Sequence, residues 1–357
     1  MNKKLIALAI AGATVAPAAM AQTANPVTLY GRVYAMFESV EAKGGASPVA
    51  RRNRVTDQAS YVGVRGTEDI GGGLKAFFQV EWAYRPDDNA TTTATAVPSP
   101  TPANINNTPF SGRNSAIGIQ GGFGSILMGR WDTPMKVTQT AVDPFGDLTN
   151  GDITGANLDQ GNFSRRENNM VQYWSPNIAG FSARLHYTAN EGKTGTLNPS
   201  VTGASLTYSA GGLYAAYAYE KHKDVAASVS EEGNAIAASY KFGFGPKLSG
   251  HYGEYKRDVP GAARIKDESY AIGLEWAFGK NVLLYLFQHA ETDQSTSPEC
   301  DMNAIGYRYD FSRRTFFVAQ YTKVENKNGM NCNFGTNPIG AAGQNPQGIG
   351  LGVRHLF

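Results

Sequence analysis

Residues 269–278 read Ser-Tyr-Ala-Ile-Gly-Leu-Glu-Trp-Ala-Phe. In an extended chain Tyr270, Ile272, Leu274, Trp276 and Phe278 fall on one face, and Ser269, Ala271, Gly273, Glu275 and Ala277 on the other. Side chains alternate across a strand with a period of two, so this segment reads as a strand with one apolar and one small or polar face. The same pattern sets Ile236, Ala238, Tyr240 and Phe242 against Ala235, Ala237, Ser239 and Lys241. It recurs at 29–38, where Leu29, Gly31, Val33, Ala35 and Phe37 oppose Tyr30, Arg32, Tyr34, Met36 and Glu38.

Helix-period patterns are scarce, whereas sixteen period-two stretches run from about 27–41 to 347–357. One of them, 281–291, is apolar on both faces. Most reach the ~9–11 residues with which a tilted strand crosses a bilayer. The connections alternate in length. Seven tight turns rich in Gly, Pro, Asn or Asp lie at 69–73, 121–124, 176–180, 210–212, 243–246, 278–280 and 311–313. Such residues reverse a chain. Eight longer polar segments separate them: 42–57, 86–112, 133–167, 191–200, 223–233, 257–266, 292–300 and 326–346. This alternation predicts an all-β, sixteen-stranded antiparallel transmembrane barrel with short periplasmic turns, long external loops and both chain ends on the short-turn side. A low-complexity run of Thr, Ala, Pro and Ser at 90–102 reads as an exposed loop.

Composition narrows the class. Glycine makes up 41 of 357 residues, charged residues are 17% and mean hydropathy is −0.33. Beyond the N-terminus no run approaches the ~18 apolar residues of a spanning helix. Lys3 and Lys4, the apolar run 5–15 and Ala19-Met20-Ala21 form the three-part pattern of a secretory signal peptide, with cleavage expected after residue 21. Residues 22–357 then form a single domain. Removing two lysines leaves 30 basic and 30 acidic residues of the original 32 and 30. That neutrality argues against a nucleic-acid partner.

Period-two strands also occur in soluble sandwiches. Three features favour the membrane. Aromatics near strand ends (Trp82, Trp131, Trp174, Tyr217, Tyr219, Trp276) suit girdles at the two interfaces. A closed barrel leaves no sheet edge unpaired in lipid. The last strand places Ile349, Leu351, Val353, His355 and Phe357 on one face and ends on an aromatic.

Several fragments recur in family order: Leu29-Tyr30-Gly31; Val64-Arg65-Gly66-Thr67-Glu68-Asp69 leading into Gly71, Gly73, Leu74, Lys75 and Ala76; and Met128-Gly129-Arg130. Residues 168–173, Ser175-Pro176, Gly180-Phe181 and the closing Gly352-Val353-Arg354-His355-Leu356-Phe357 complete the set. Through them the chain resembles the Gram-negative general porins, specifically the trimeric beta-proteobacterial and neisserial type, over essentially the whole mature length. The resemblance implies a homotrimer in the bacterial outer membrane, contacting its lipid. It also implies passive diffusion of ions and small hydrophilic solutes, and a terminal Phe357 resembling the tag read by the barrel-insertion machinery.

For such a channel the chemistry lies in the pore lining. With the apolar set toward lipid, Arg32, Arg65, Arg130 and, less clearly phased, Arg113 face the lumen, since a guanidinium in mid-bilayer costs ~2–4 kcal/mol. They form either a positive wall or pairs with lumen acids such as Glu38 and Glu81. Segment 133–167 contains Asp143, Asp147 and Asp152. In the resembled family the third long loop folds into the barrel, which would set these acids opposite the arginines; the alternative is a solvated acidic surface loop. A weak preference for anions is expected from arginines on the fixed wall. Cys300 and Cys332 lie on the long-loop side of the last hairpin, where one disulfide or two free thiols are both feasible. No metal or cofactor is expected. The five histidines are dispersed singly, and no H-E-x-x-H, G-x-S-x-G or phosphate-cradling glycine motif occurs.

Overall fold

Backbone pairing alone organises this chain, because each period-two segment finds an antiparallel neighbour on both sides. The computed structural model describes residues 27–45, 47–87, 112–146, 149–154, 162–226, 228–335 and 338–357. The expected signal peptide, the whole 90–102 run and Asp147 lie outside them. The first strands are β1 (Thr28–Lys43), β2 (Val49–Asp57), β3 (Tyr61–Gly71), β4 (Leu74–Ala83), β5 (Ser115–Gly121) and β6 (Gly124–Asp132). A short helix, α1 (Pro134–Thr140), precedes β7 (Arg166–Trp174), β8 (Phe181–Thr188), β9 (Ser200–Ala210), β10 (Leu213–Ala226) and β11 (Val229–Lys241). The remainder are β12 (Pro246–Asp258), β13 (Ile265–Phe278), β14 (Asn281–Thr292), β15 (Glu299–Asp310), β16 (Thr315–Lys327) and β17 (Asn345–Leu356).

β1 closes the barrel against β17, in register from Arg32↔Leu356 to Lys43↔Asn345. At the seam Gly31 and Phe357 exchange both backbone hydrogen bonds at 3.1 Å. The Phe357 ring covers Gly31, where an added Cβ would lie 2.5 Å from its Cζ and 2.6 Å from the Tyr61 carbonyl oxygen. On its other side β1 pairs with β2 and then with β3, so those two are halves of one wall strand. The break falls at 58–60, where Ala59 takes φ 58°. Seventeen strand segments therefore build a closed sixteen-stranded antiparallel barrel.

The predicted phases hold on most strands. Ile117, Ile236, Ile272 and Ile305 point outward and are more than half exposed, a continuous apolar surface of the kind lipid covers. Two expected long loops are instead strand. Residues 42–57 contain only a short connection between β1 and β2, and 223–233 a tight one between β10 and β11. The polar residues there are rungs above the apolar band, and opposite charges pair across them, as in Lys221–Glu232 (2.6 Å) and Arg51–Glu41 (2.7 Å). The two-sided apolarity of 281–291 also finds its cause. Inward Leu286 packs with Val142 and Ile153, and the Phe145 ring lies beside inward Leu284. Strand β14 thus has lipid on one face and a folded-in loop on the other.

Candidate functional site

The segment after β6 enters the barrel. Thr133 caps α1, its Oγ1 accepting the Lys136 backbone N–H at 3.2 Å, and Pro134 starts the helix where its missing N–H costs nothing. The helix packs inside against β8 to β11, with Met135 buried. Gln139 donates to the Tyr255 hydroxyl at 2.8 Å. The loop's return end is clamped: the Phe163 ring stacks on His222 (4.4 Å) and Tyr255 (5.1 Å), while Asn162 donates to Glu231 at 3.0 Å. In between, the loop crosses to the opposite wall. The Asn150 backbone N–H donates to Gln58 Oε1 at 3.1 Å, its side-chain amide donates to Glu38, and Ile153 accepts from Gln288 at 2.6 Å.

The expected acids divide in role. Asp143 borders a lumen cavity of about 190 Å³ that is also lined by Arg32 on β1, Arg308 on β15 and Arg354 on β17. Its Oδ1 accepts the Phe145 N–H at 2.9 Å, which holds the loop's turn. Asp152 is fully buried and accepts the N–H groups of Thr149 (3.1 Å) and Thr154 (2.9 Å). It shapes the loop from inside rather than facing the wall, because three short-range donors satisfy it where it sits.

The arginines divide as well. Arg32 donates to the carbonyl oxygens of Ala59 (2.6 Å) and Gln58 (3.2 Å), which the break between β2 and β3 frees from the ladder. Arg354 lies 4.1 Å over the Phe316 ring and Arg308 lies 5.4 Å over it. Arg308 is paired with Asp310 at 2.9 Å, whereas Arg32 and Arg354 have no acid partner among the described residues. Arg65 stacks over Tyr30 at 4.7 Å, also without an acid partner among them. Arg113 lies 4.8 Å over Tyr61 and 3.7 Å from Glu81, whose other oxygen accepts from the Tyr30 hydroxyl at 2.9 Å. Glu38 is buried and paired with Arg54 at 2.7 Å, so it latches the loop and neutralises none of the four arginines singled out from sequence.

Arg130 does not join the Arg32 group. It donates to Asn168 at 2.6 Å and is absent from the cavity lining. Leu127 is buried and Met128 exposed, so the alternation along β6 sends Trp131 inward with Leu127 and leaves Arg130 on the face of Met128; the extra residue of the β6–β7 register shift lies on β7, where Asn169 takes φ 51°. Two girdle candidates are also reassigned. Trp174 shares the inward face of β7 with buried Met170 and Gln172, donating to Gln172 at 2.8 Å. Trp131 stands 5.5 Å from its ring, inside the barrel. Trp276 points outward as expected. Sequence reading passed over Arg308 and Arg354, although the alternation that sends Val353 outward sends Arg354 inward. Cys300 and Cys332 are joined, with Cα atoms 6.3 Å apart, and are buried beneath the external loops.

Residues 7–329 match the family model described as Gram-negative porin. The chain belongs to that family. The porin is 30% identical to outer membrane porin protein 32 of Delftia acidovorans and 29% identical to major outer membrane protein P.IB of Neisseria meningitidis serogroup B, each over the full length of both chains. Among solved structures it resembles an anion-selective porin from Comamonas acidovorans, with a TM-score of 0.80 and 26% identity, covering 93% of this chain and 100% of that one. A trimeric form of OmpT from Vibrio cholerae shares the fold, with a TM-score of 0.68, 16% identity and coverage of 94% and 100%. The porin thus forms a channel through the bacterial outer membrane.

Proposed function

We propose that the porin passes ions and small hydrophilic solutes by diffusion with a preference for anions. The observation that carries this reading is the convergence of Arg32, Arg308 and Arg354 on one cavity of the lumen, two of the three without an acid partner among the described residues. Fixed positive groups in a narrowed aqueous passage lower the energy of a passing anion and raise that of a cation. The inward loop supplies the narrowing, and its Asp143 sets a negative group across from the arginines. The anion selectivity named for the Comamonas porin supports the same sign. No bond chemistry is assigned to the lumen.

The porin works as a homotrimer in this reading. The outward face of β1 carries Gly31, Val33 and Ala35, small enough for a neighbouring subunit to approach closely, and the trimeric OmpT shares its fold. Residues 1–21 direct export, and the C-terminal strand with Phe357 is the segment offered to the insertion machinery. Single-channel recording in a planar bilayer under a salt gradient tests the whole reading. Closures in thirds and a reversal potential of anionic sign are expected. A cationic sign overturns the selectivity, and insertion without conduction indicates a plugged barrel.

A further inference from the structure

On the periplasmic side of the arginine cavity, the inner face of β3 to β7 carries a second cavity of about 430 Å³, within the ~300–1,000 Å³ typical of small-molecule sites. An inward glycine makes room for one of its rings. A Cβ at Gly118 would lie 2.6 Å from the Phe77 ring. Trp131 and Trp174 stand 5.5 Å apart at 60°, in tilted contact with each other. Beside the pair lie Arg65, Gln79 and Gln120, and the lining contains no carboxylate.

We propose that this cavity is a subsite for small aromatic carboxylates moving through the lumen. The tilted tryptophan pair presents ring edges and faces to the cavity, against which a flat ring packs edge-to-face or offset. The Arg65 guanidinium, held over Tyr30 at 4.7 Å, offers its planar N–H fork to the carboxylate, as arginine does best. The two glutamine amides add donors of the same sense. A cation would meet Arg65 with no acid in the lining. A sugar would need a free ring face, but Arg184 already covers the Trp174 ring at 4.9 Å. The proposal rests on the anion reading above and adds a preference among anions.

The test uses the reconstituted porin in planar bilayers in KCl, titrated with sodium benzoate and, in parallel, sodium acetate. Benzoate should lower single-channel current in a saturable manner at concentrations where acetate does not. Trp131→Ala should weaken the apparent benzoate affinity about fivefold to tenfold, the scale of one lost ring contact. Arg65→Gln should weaken benzoate block more than it reduces chloride conductance, and outward Trp276→Ala should change neither. Should Trp131→Ala lose its folded, heat-modifiable migration, Trp131→Phe and Arg65→Gln carry the test. Equal effects of benzoate and acetate, or benzoate block unchanged in both lumen variants, overturn the subsite. A cationic reversal potential in KCl alone instead overturns the anion reading, so the two failures are distinguishable.

Discussion

Replacing Arg354 with Ser removes a guanidinium that stacks on Phe316 at 4.1 Å, borders the cavity shared with Arg32 and Arg308, and has no acid partner among the described residues. An ion passing at ~5 Å in a water-like dielectric feels that charge as about 0.8 kcal/mol. With a Debye length of ~8 Å at physiological salt, screening cuts this to about 0.4 kcal/mol. The charge favours the anion and disfavours the cation by the same amount, so the energy counts twice in their permeability ratio. The expected fall in the anion-to-cation ratio is therefore about fourfold at physiological salt, rising above tenfold in dilute salt. Reversal potentials of wild type and Arg354→Ser under matched gradients at two ionic strengths measure it, with unboiled gel migration as the folding control. Arg130→Ser should move the ratio much less, because Arg130 is turned to Asn168 and away from the cavity. A folded Arg354→Ser protein with an unchanged ratio at both salts would refute the assignment of the wall.

The loop, the seam and the disulfide give further tests. Phe163→Ala empties the stack on His222 and Tyr255. Its cost of ~3–5 kcal/mol should fall on loop docking. Noisier current and a lower voltage threshold for closure are expected, with barrel melting by circular dichroism unchanged; a quiet variant channel would count against the clamp. Gly31→Val forces a side chain into the Phe357 ring and the Tyr61 carbonyl, so it should lower refolding yield far more than Val33→Ala on the same face. Equal yields of the two would remove the seam from the argument. Cys332→Ser opens a bridge across 32 residues. In the chain-entropy model that is worth about 3–4 kcal/mol, so the variant should unfold at lower denaturant than wild type without changing conductance. An unaltered midpoint would show the bridge to be energetically silent.

Much of this porin can be read locally. The faces of Ser269 to Phe278 need only the pleat of a strand, and the alternation of turns with polar segments needs only Gly, Pro, Asn and Asp in their places. Even the long external ends of β1 and β10 carry their charge pairs in alternation, although a purely apolar criterion for strands stopped short of them. Arg32 and Arg65 were assigned inward by the same rule. At Arg130 the same rule, kept in phase, points the other way, because Arg130 shares the face of exposed Met128 while Trp131 falls inward with buried Leu127.

Other features exist only in three dimensions. Arg32 and Arg354 lie at opposite ends of the chain and meet because β1 closes on β17. Asp143 reaches them because α1, Phe163 and Asn150 find partners on opposite inner walls, and the same packing buries Asp152 beside it. Strand periodicity is a property of neighbouring residues and survives in one dimension. Which charges share a cavity depends on closure register and on where a loop finds its buried contacts, and both are settled between residues far apart in the chain.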